Sequence, residues 1–129
     1  MTDNGRIRVV IADDDAAFLE ALATAMEIDG RFEVVGLAAN GGEAFQMACW
    51  HEPDVTVMDV EMPVMRGPEA ARLLRQSRPR GCVLMVSGAD EVHAHGVDTA
   101  DADLFVSKSD LHAIVDAVAA LATPVRRVR

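Results

Sequence analysis

Three consecutive acids, Asp13, Asp14 and Asp15, follow directly on an apolar run in the stretch VVIADDD. Two carboxylates about 4 Å apart repel by roughly 4 kcal/mol at an effective dielectric near 20, so adjacent acids at the end of a buried strand need a cation, an ammonium or solvent beside them. Three more polar residues end apolar runs in the same way: Asp59 closes VTVMD, Ser87 closes VLMVS, and Lys108 follows LFVS. Carboxylate oxygens suit Mg²⁺, a hard cation that keeps several waters and binds through one or two carboxylates plus a phosphate. A hydroxyl and an ammonium at the same place can bind the oxygens of a phosphoryl group. Each residue also has an ordinary use: the acids as helix caps, Asp15 above all, Asp59 as a turn former, Ser87 as a cap for the segment after it, Lys108 as a surface lysine. Agreement of four strand ends on one chemistry favours the site.

These side chains converge only if the strands carrying them are parallel neighbours. Apolar, β-branched-rich runs recur at Ile7–Ala12, Phe32–Leu37, Val55–Met58, Cys82–Val86 and Leu104–Val106. Between them, apolar residues at i, i+3 and i+4 mark helices: Phe18, Leu19, Leu22 and Met26; Ala44, Phe45 and Ala48; Ala70, Leu73 and Leu74; and Leu111, Ile114, Val115, Val118 and Leu121. A further helical segment, Ala89 to Asp98, holds two His, Gly96 and few large apolar residues, so it should be short or irregular. Strands alternating with helices are the signature of βα units and a parallel sheet. Runs such as RVVIA and VLMVS are apolar throughout, as strands covered on both faces should be. Gly30, Asn40-Gly41, Pro53, Pro79 and Gly81 fall between the elements, where breakers belong. The expectation is a doubly wound α/β domain over residues 5–123: a five-stranded parallel sheet of order 2-1-3-4-5 with five helices. Pro124 should stop the last helix, leaving residues 124–129 as a basic tail or the start of a linker. In that order strands one and three lie side by side, and ligands bind beyond the carboxyl ends of the strands at the switch in order, where Asp13, Asp14 and Asp59 would meet.

Composition narrows the setting. A chain of 129 residues, 50% apolar, fits one domain with a core of its own. Its net charge of -9 argues against direct binding of nucleic acid or an anionic membrane surface. No apolar stretch approaches the roughly 20 residues of a membrane span, and MTDNGRIR lacks the apolar centre of a signal peptide, so a cytoplasmic location is expected. Cys49 and Cys82, without CxxC spacing, are expected as free, mostly buried thiols. His93 and His95 at i and i+2 face different ways on a helix and should be exposed, not a metal pair. Trp50 should be partly buried, and Met58, Met62, Met65 and Met85 should fill core and loop gaps.

The segments ADDD, PDVTVMDVEMPVMRG around Asp59, VSG at Ser87 and LFVSK at Lys108 resemble the receiver domain of two-component response regulators over nearly the whole chain. Asp-x-x-Met-Pro with Gly four residues after the Pro, in order with the other segments, is a specific set. The phrase FEVVGLAANGGEAFQMA is similar to the subclass that usually carries a C-terminal helix-turn-helix DNA-binding domain. The resemblance implies a flavodoxin-like fold, with Asp59 as the nucleophile that takes a phosphoryl group from a sensor histidine kinase. It implies Mg²⁺ held by Asp14, Asp59 and the backbone carbonyl of Glu61, with Asp13 acting through water. Ser87 would hydrogen-bond the phosphoryl oxygens, Lys108 would neutralise them, and Phe105 would be the aromatic switch residue. The surface of helix four, strand five and helix five would change, with a homodimer through that face as one use of it.

Some positions depart from the family pattern. Ser109 stands where Pro usually follows the Lys; Arg66 replaces a common Asp and puts a cation near the acidic rim; Gly88 replaces a small Ala and loosens its loop. Two rivals follow from the same residues. A magnesium phosphatase with a strand-end Asp nucleophile usually needs a second Asp two residues on, where this chain has Glu61, so self-catalysed phosphorylation and dephosphorylation are expected rather than turnover of an outside substrate. A pseudo-receiver, an interaction module that works without phosphorylation, would not need Asp13, Asp14, Asp59, Ser87 and Lys108 together. Whether this is the receiver half of a DNA-binding transcriptional regulator stays open, since no DNA-reading helix is present.

Overall fold

The computed structural model describes residues 5–77, 81–88 and 101–127, with side chains to Ala122 in the last helix. Five strands, β1 (Ile7–Ala12), β2 (Phe32–Ala38), β3 (Val55–Asp59), β4 (Cys82–Ser87) and β5 (Leu104–Ser107), alternate with helices α1 (Ala16–Asp29), α2 (Gly41–His51), α3 (Gly67–Ser77) and α4 (Leu111–Arg127). Helix α4 is the last helical segment of the sequence; the weak segment Ala89–Asp98, with His93 and His95, lies outside the described residues. All four strand pairings are parallel and the order is β2-β1-β3-β4-β5, as the run of βα units predicts.

The central strands β1, β3 and β4 are largely apolar because both faces of the sheet are covered there. Val9, Ile11, Val55, Val57, Leu84 and Val86 pack against Leu22 and Met26 of α1 and Ile114, Val115 and Val118 of α4. Their neighbours one residue along, among them Met58, Val83 and Met85, point the other way, onto Ala44 and Ala48 of α2 and Ala70, Ala71 and Leu74 of α3. Each fully buried Val, Leu, Ile or Met contributes roughly 1.5–3 kcal/mol relative to exposure, so this alternation outweighs any single polar contact in holding the sheet.

Polar residues mark where the helices begin and end. Asp15 caps α1, its side chain accepting from the amides of Ala17 and Phe18. Asn40 caps α2 by accepting from the Glu43 amide at 2.9 Å, while Glu43 accepts from the Ala39 amide at 2.8 Å. Gly30 ends α1 at φ 90°, in the left-handed region that glycine adopts without strain.

Some expectations need correction. Helix α4 does not stop at Pro124 but runs to Arg127. Proline's own φ is helical; it forfeits one hydrogen bond and crowds the preceding turn, which penalises a helix without always ending it. Trp50 is 83% exposed rather than partly buried, and Cys49 is exposed while Cys82 is half-buried. The buried face of α2 is set by Ala44 and Ala48, and Trp50, two residues on, lies roughly 200° around the helix. Met58, Met62 and Met85 are buried and Met65 packs against the same cluster. Among the described residues, no helix is long and apolar enough to cross a membrane.

Candidate functional site

Ala12 of β1 lies opposite Met58 of β3 in parallel register, so the residues that follow, Asp13 and Asp59, leave the sheet side by side. Carboxylate oxygens of Asp13, Asp14 and Asp59 lie within 4.8 Å of one another. Asp13 is fully buried and Asp59 is 5% exposed, whereas Asp14 is open to solvent. One Asp13 oxygen, Oδ1, accepts from the Asp15 amide at 2.9 Å. The other, Oδ2, faces the Lys108 ammonium at 2.8 Å, and the same ammonium is 3.8 Å from Asp59 Oδ2.

Lys108 thus spans the acids from the far side of the crevice. Its burial is the largest single influence and works against its charge, but the hydrogen bond to Asp13 and the charges of Asp59, Asp13 and Asp15 together hold its pKa above the usual lysine value. Three carboxylates against one ammonium still leave negative charge in excess. Two buried carboxylates and one open to solvent form a hard-oxygen donor set, which fits a divalent cation of the Mg²⁺ type reached from the Asp14 side.

The neighbouring strands complete the rim. Ser87 is buried at the end of β4, and its carbonyl accepts from the Lys108 amide at 2.9 Å, so the ends of β4 and β5 are tied to each other. Phe105 of β5 lies opposite Met85 and packs half-buried against the α2–α3 side of the core. The loop from β3 to α3 folds back tightly: the Gly67 amide donates to the Val60 carbonyl at 2.9 Å, and a Cβ at Gly67 would run into the backbone oxygen of Asp59. The glycine of the sequence motif is therefore required by close approach to the residue that starts it.

Two contacts were not read from the sequence. Arg66 does bring a cation to the rim, but its guanidinium meets Glu61 at 2.6 and 3.3 Å, so the Glu61 side chain is turned to Arg66 rather than to the three aspartates. Phe18, assigned only to the core face of α1, carries the Lys108 ammonium over its ring, 4.7 Å from the centroid. Spacing alone could have hinted at the second, since Phe18 sits in the first turn beyond the Asp15 cap. A separate open apolar depression, lined by Phe45, Met47, Cys49 and Trp50 among others, lies toward the far end of α2, away from the acids.

The profile of the response regulator receiver domain matches residues 9–119. The transcriptional regulatory protein LnrK of Bacillus subtilis is 38% identical over 81 residues, which are 63% of this chain and 37% of that protein. The transcriptional regulatory protein DegU of Brevibacillus brevis is 31% identical over 122 residues, 93% of this chain and 52% of that protein. The chain thus spans at most about half the length of these two relatives. Among solved structures, the signal receiver domain of the response regulator NarL from Mycobacterium tuberculosis superposes with a TM-score of 0.79 at 31% identity, covering 92% of this chain and 97% of that one. A domain match over most of the chain, a full-length structural counterpart and the acids gathered at the strand ends agree: this chain belongs to the response regulator receiver domain family.

Proposed function

We propose that this receiver domain is a phosphorylation-dependent signalling switch of a two-component system, in which Asp59 accepts a phosphoryl group from a sensor histidine kinase in the cytoplasm. The observation that carries the reading is the convergence of Asp13, Asp14 and Asp59 within 4.8 Å, faced by Lys108. An Asp59 carboxylate oxygen attacks phosphorus, the phosphorus–nitrogen bond of the phosphohistidine breaks, and its electron pair returns to the imidazole, which takes up a proton. Phosphoryl transfer asks a protein mainly to align donor and acceptor and to offset charge on the equatorial oxygens. Asp14, Asp59 and the Glu61 backbone carbonyl would hold Mg²⁺ directly and Asp13 through water. Mg²⁺, when bound, supplies positive charge to the phosphoryl oxygens and helps orient them.

Lys108 then shifts its interaction from Asp59 toward the new phosphoryl oxygens, and the Ser87 hydroxyl donates to another. The bond between the Lys108 amide and the Ser87 carbonyl couples those two movements. Drawing Ser87 inward makes room for Phe105, changing the face formed by β5 and α4, where a second copy or an output partner would dock. Hydrolysis of the phosphoaspartate by the same site resets the switch, with no outside substrate turned over. The likeness to two transcriptional regulatory proteins supports a transcriptional output, with DNA contacted by a unit other than this acidic domain.

Intact-mass measurement after incubation with acetyl phosphate and Mg²⁺ tests the proposal. One phosphoryl adduct is expected in the wild type, dependent on Mg²⁺ and absent from a folded Asp59→Asn variant. An equal adduct in that variant would overturn the assignment of Asp59, and no adduct in the wild type would point to a pseudo-receiver.

A further inference from the structure

The Lys108 side chain is a flexible stem ending in a compact charge with no fork to fix its direction, so something must aim it. Four contacts close a ring around it. Asp13 Oδ1 accepts from the Asp15 amide, Asp15 accepts from the Phe18 amide at 3.3 Å, the Phe18 ring lies under the Lys108 ammonium, and that ammonium returns to Asp13 Oδ2. The first turn of α1 is thereby pinned to the same aspartate that the lysine contacts, and the Phe18 ring packs against the core beneath. The electron-rich face of an aromatic ring attracts a cation, and more strongly where water is partly excluded. With its side chain 24% exposed, Lys108 meets carboxylates on one side and the ring on another.

From this arrangement we propose that Phe18 is a positioning residue for phosphoryl transfer: its ring face holds the Lys108 ammonium ready at the mouth of the acidic cluster, an electronic contact that an aliphatic side chain of similar size cannot make. The inference rests on the reading of Lys108 as the group that neutralises the phosphoryl oxygens. Without the ring the ammonium samples more directions, and fewer of them place it beside Asp59, so phosphorylation slows. Phe18 touches no reacting atom; it acts through Lys108.

The test replaces Phe18 with its mono-, di- and trifluorinated analogues, which keep the ring's shape while draining charge from its face. Phosphorylation by acetyl phosphate with Mg²⁺ is expected to slow stepwise with fluorination, by roughly two- to five-fold in total, the span a cation–π contact at a partly exposed site provides. Phe18→Leu should be as slow as the trifluorinated protein, and Phe18→Tyr should restore the rate, each measured in protein that remains folded. In parallel, the Lys108 Cε protons should show an upfield ring-current shift in the wild type that Phe18→Leu abolishes. A flat rate across the fluorinated series, in protein that is phosphorylated on Asp59, overturns the positioning role. A Lys108 shift that survives Phe18→Leu overturns the contact itself. If the wild type takes no phosphoryl group while the ring-current shift is present, it is the reading of the site that fails, with the contact intact.

Discussion

Charged side chains gather at both ends of the sheet, and they are used in opposite ways. At the amino ends of the strands, Asp103 accepts from the Val83 amide at 2.7 Å and from Arg75 at 2.8 Å, while Arg75 also donates to the carbonyls of Gly81 and Asp101. Nearby, Asp54 accepts from the Arg8 amide and Arg8 donates to the His51 carbonyl. Each acid there accepts from a backbone amide, Val83 for Asp103 and Arg8 for Asp54, and the contacts of Asp103 and Arg75 make a clasp joining α3, β4 and the entry to β5. At the carboxyl ends, Asp13, Asp14 and Asp59 lie within 4.8 Å of one another, and the Lys108 ammonium meets Asp13 and Asp59. An acid at a strand end is therefore no signal in itself. What sets this cluster apart is the gathering of three carboxylates within 4.8 Å of one another.

If the clasp is structural and the cluster functional, substitutions at the two ends must have separable effects. Asp103→Ala should have the largest effect on stability, about 2 kcal/mol in urea unfolding, because it strips the Val83 amide of its acceptor and removes the carboxylate that Arg75 meets. Phosphorylation of its folded fraction should be unchanged, and a loss there instead would erase the contrast. Removing Mg²⁺ should have the next effect and touch only the cluster. At ten times its dissociation constant the ion is expected to add about 1.4 kcal/mol by mass action. Asp14→Asn should cancel that gain while leaving the metal-free protein equal or slightly more stable, since one repelling charge is gone. Thermal midpoints with and without chelator show both signs.

The Lys108 ion pair gives a smaller effect with a defined pH range. Because the folded protein binds this proton more tightly than the unfolded chain, its stabilisation is fully present below the ordinary lysine pKa, near 10.4, and is lost as pH rises through the raised value. The stability difference between wild type and Lys108→Met should stay level from about pH 6 to 9 and shrink only in more alkaline solution. A difference that changes near neutrality would mean that another group controls the cluster. The smallest effect is one of reactivity. Burial pushes the Cys82 thiol up, and Asp103 pushes the same way, whereas Cys49 is exposed. Maleimide at neutral pH should therefore modify Cys49 well before Cys82, and Asp103→Ala should narrow the gap by opening the clasp and removing its charge.

The limits of sequence reading fall on particular residues. β3 is legible as VTVMD because a strand covered on both faces leaves a run of β-branched and apolar residues, and its acid end is conspicuous for the same reason. Asp15 is legible as a cap because capping is local, fixed by amides two and three residues away. Trp50 and Cys49 were misplaced because α2 is a short helix whose buried face consists of small residues, so large side chains did not mark the inside. The Arg66–Glu61 pair and the Phe18–Lys108 contact were missed for another reason. A long side chain can reach several partners, and the sequence does not say which one folding brings near.

By itself the sequence determined the order of strands and helices, the two-sided burial of the sheet and the identity of the acids at its rim, because apolar periodicity and helix caps act over a few residues. Only the three-dimensional structure decided that Asp13 turns one oxygen to the Asp15 amide and the other to Lys108, that Arg66 meets Glu61, and that a ring from α1 lies under the lysine after β5. The two contacts to Lys108, from Asp13 and Phe18, join residues some ninety or more positions apart, where distance depends on how whole elements pack and no local pattern records it.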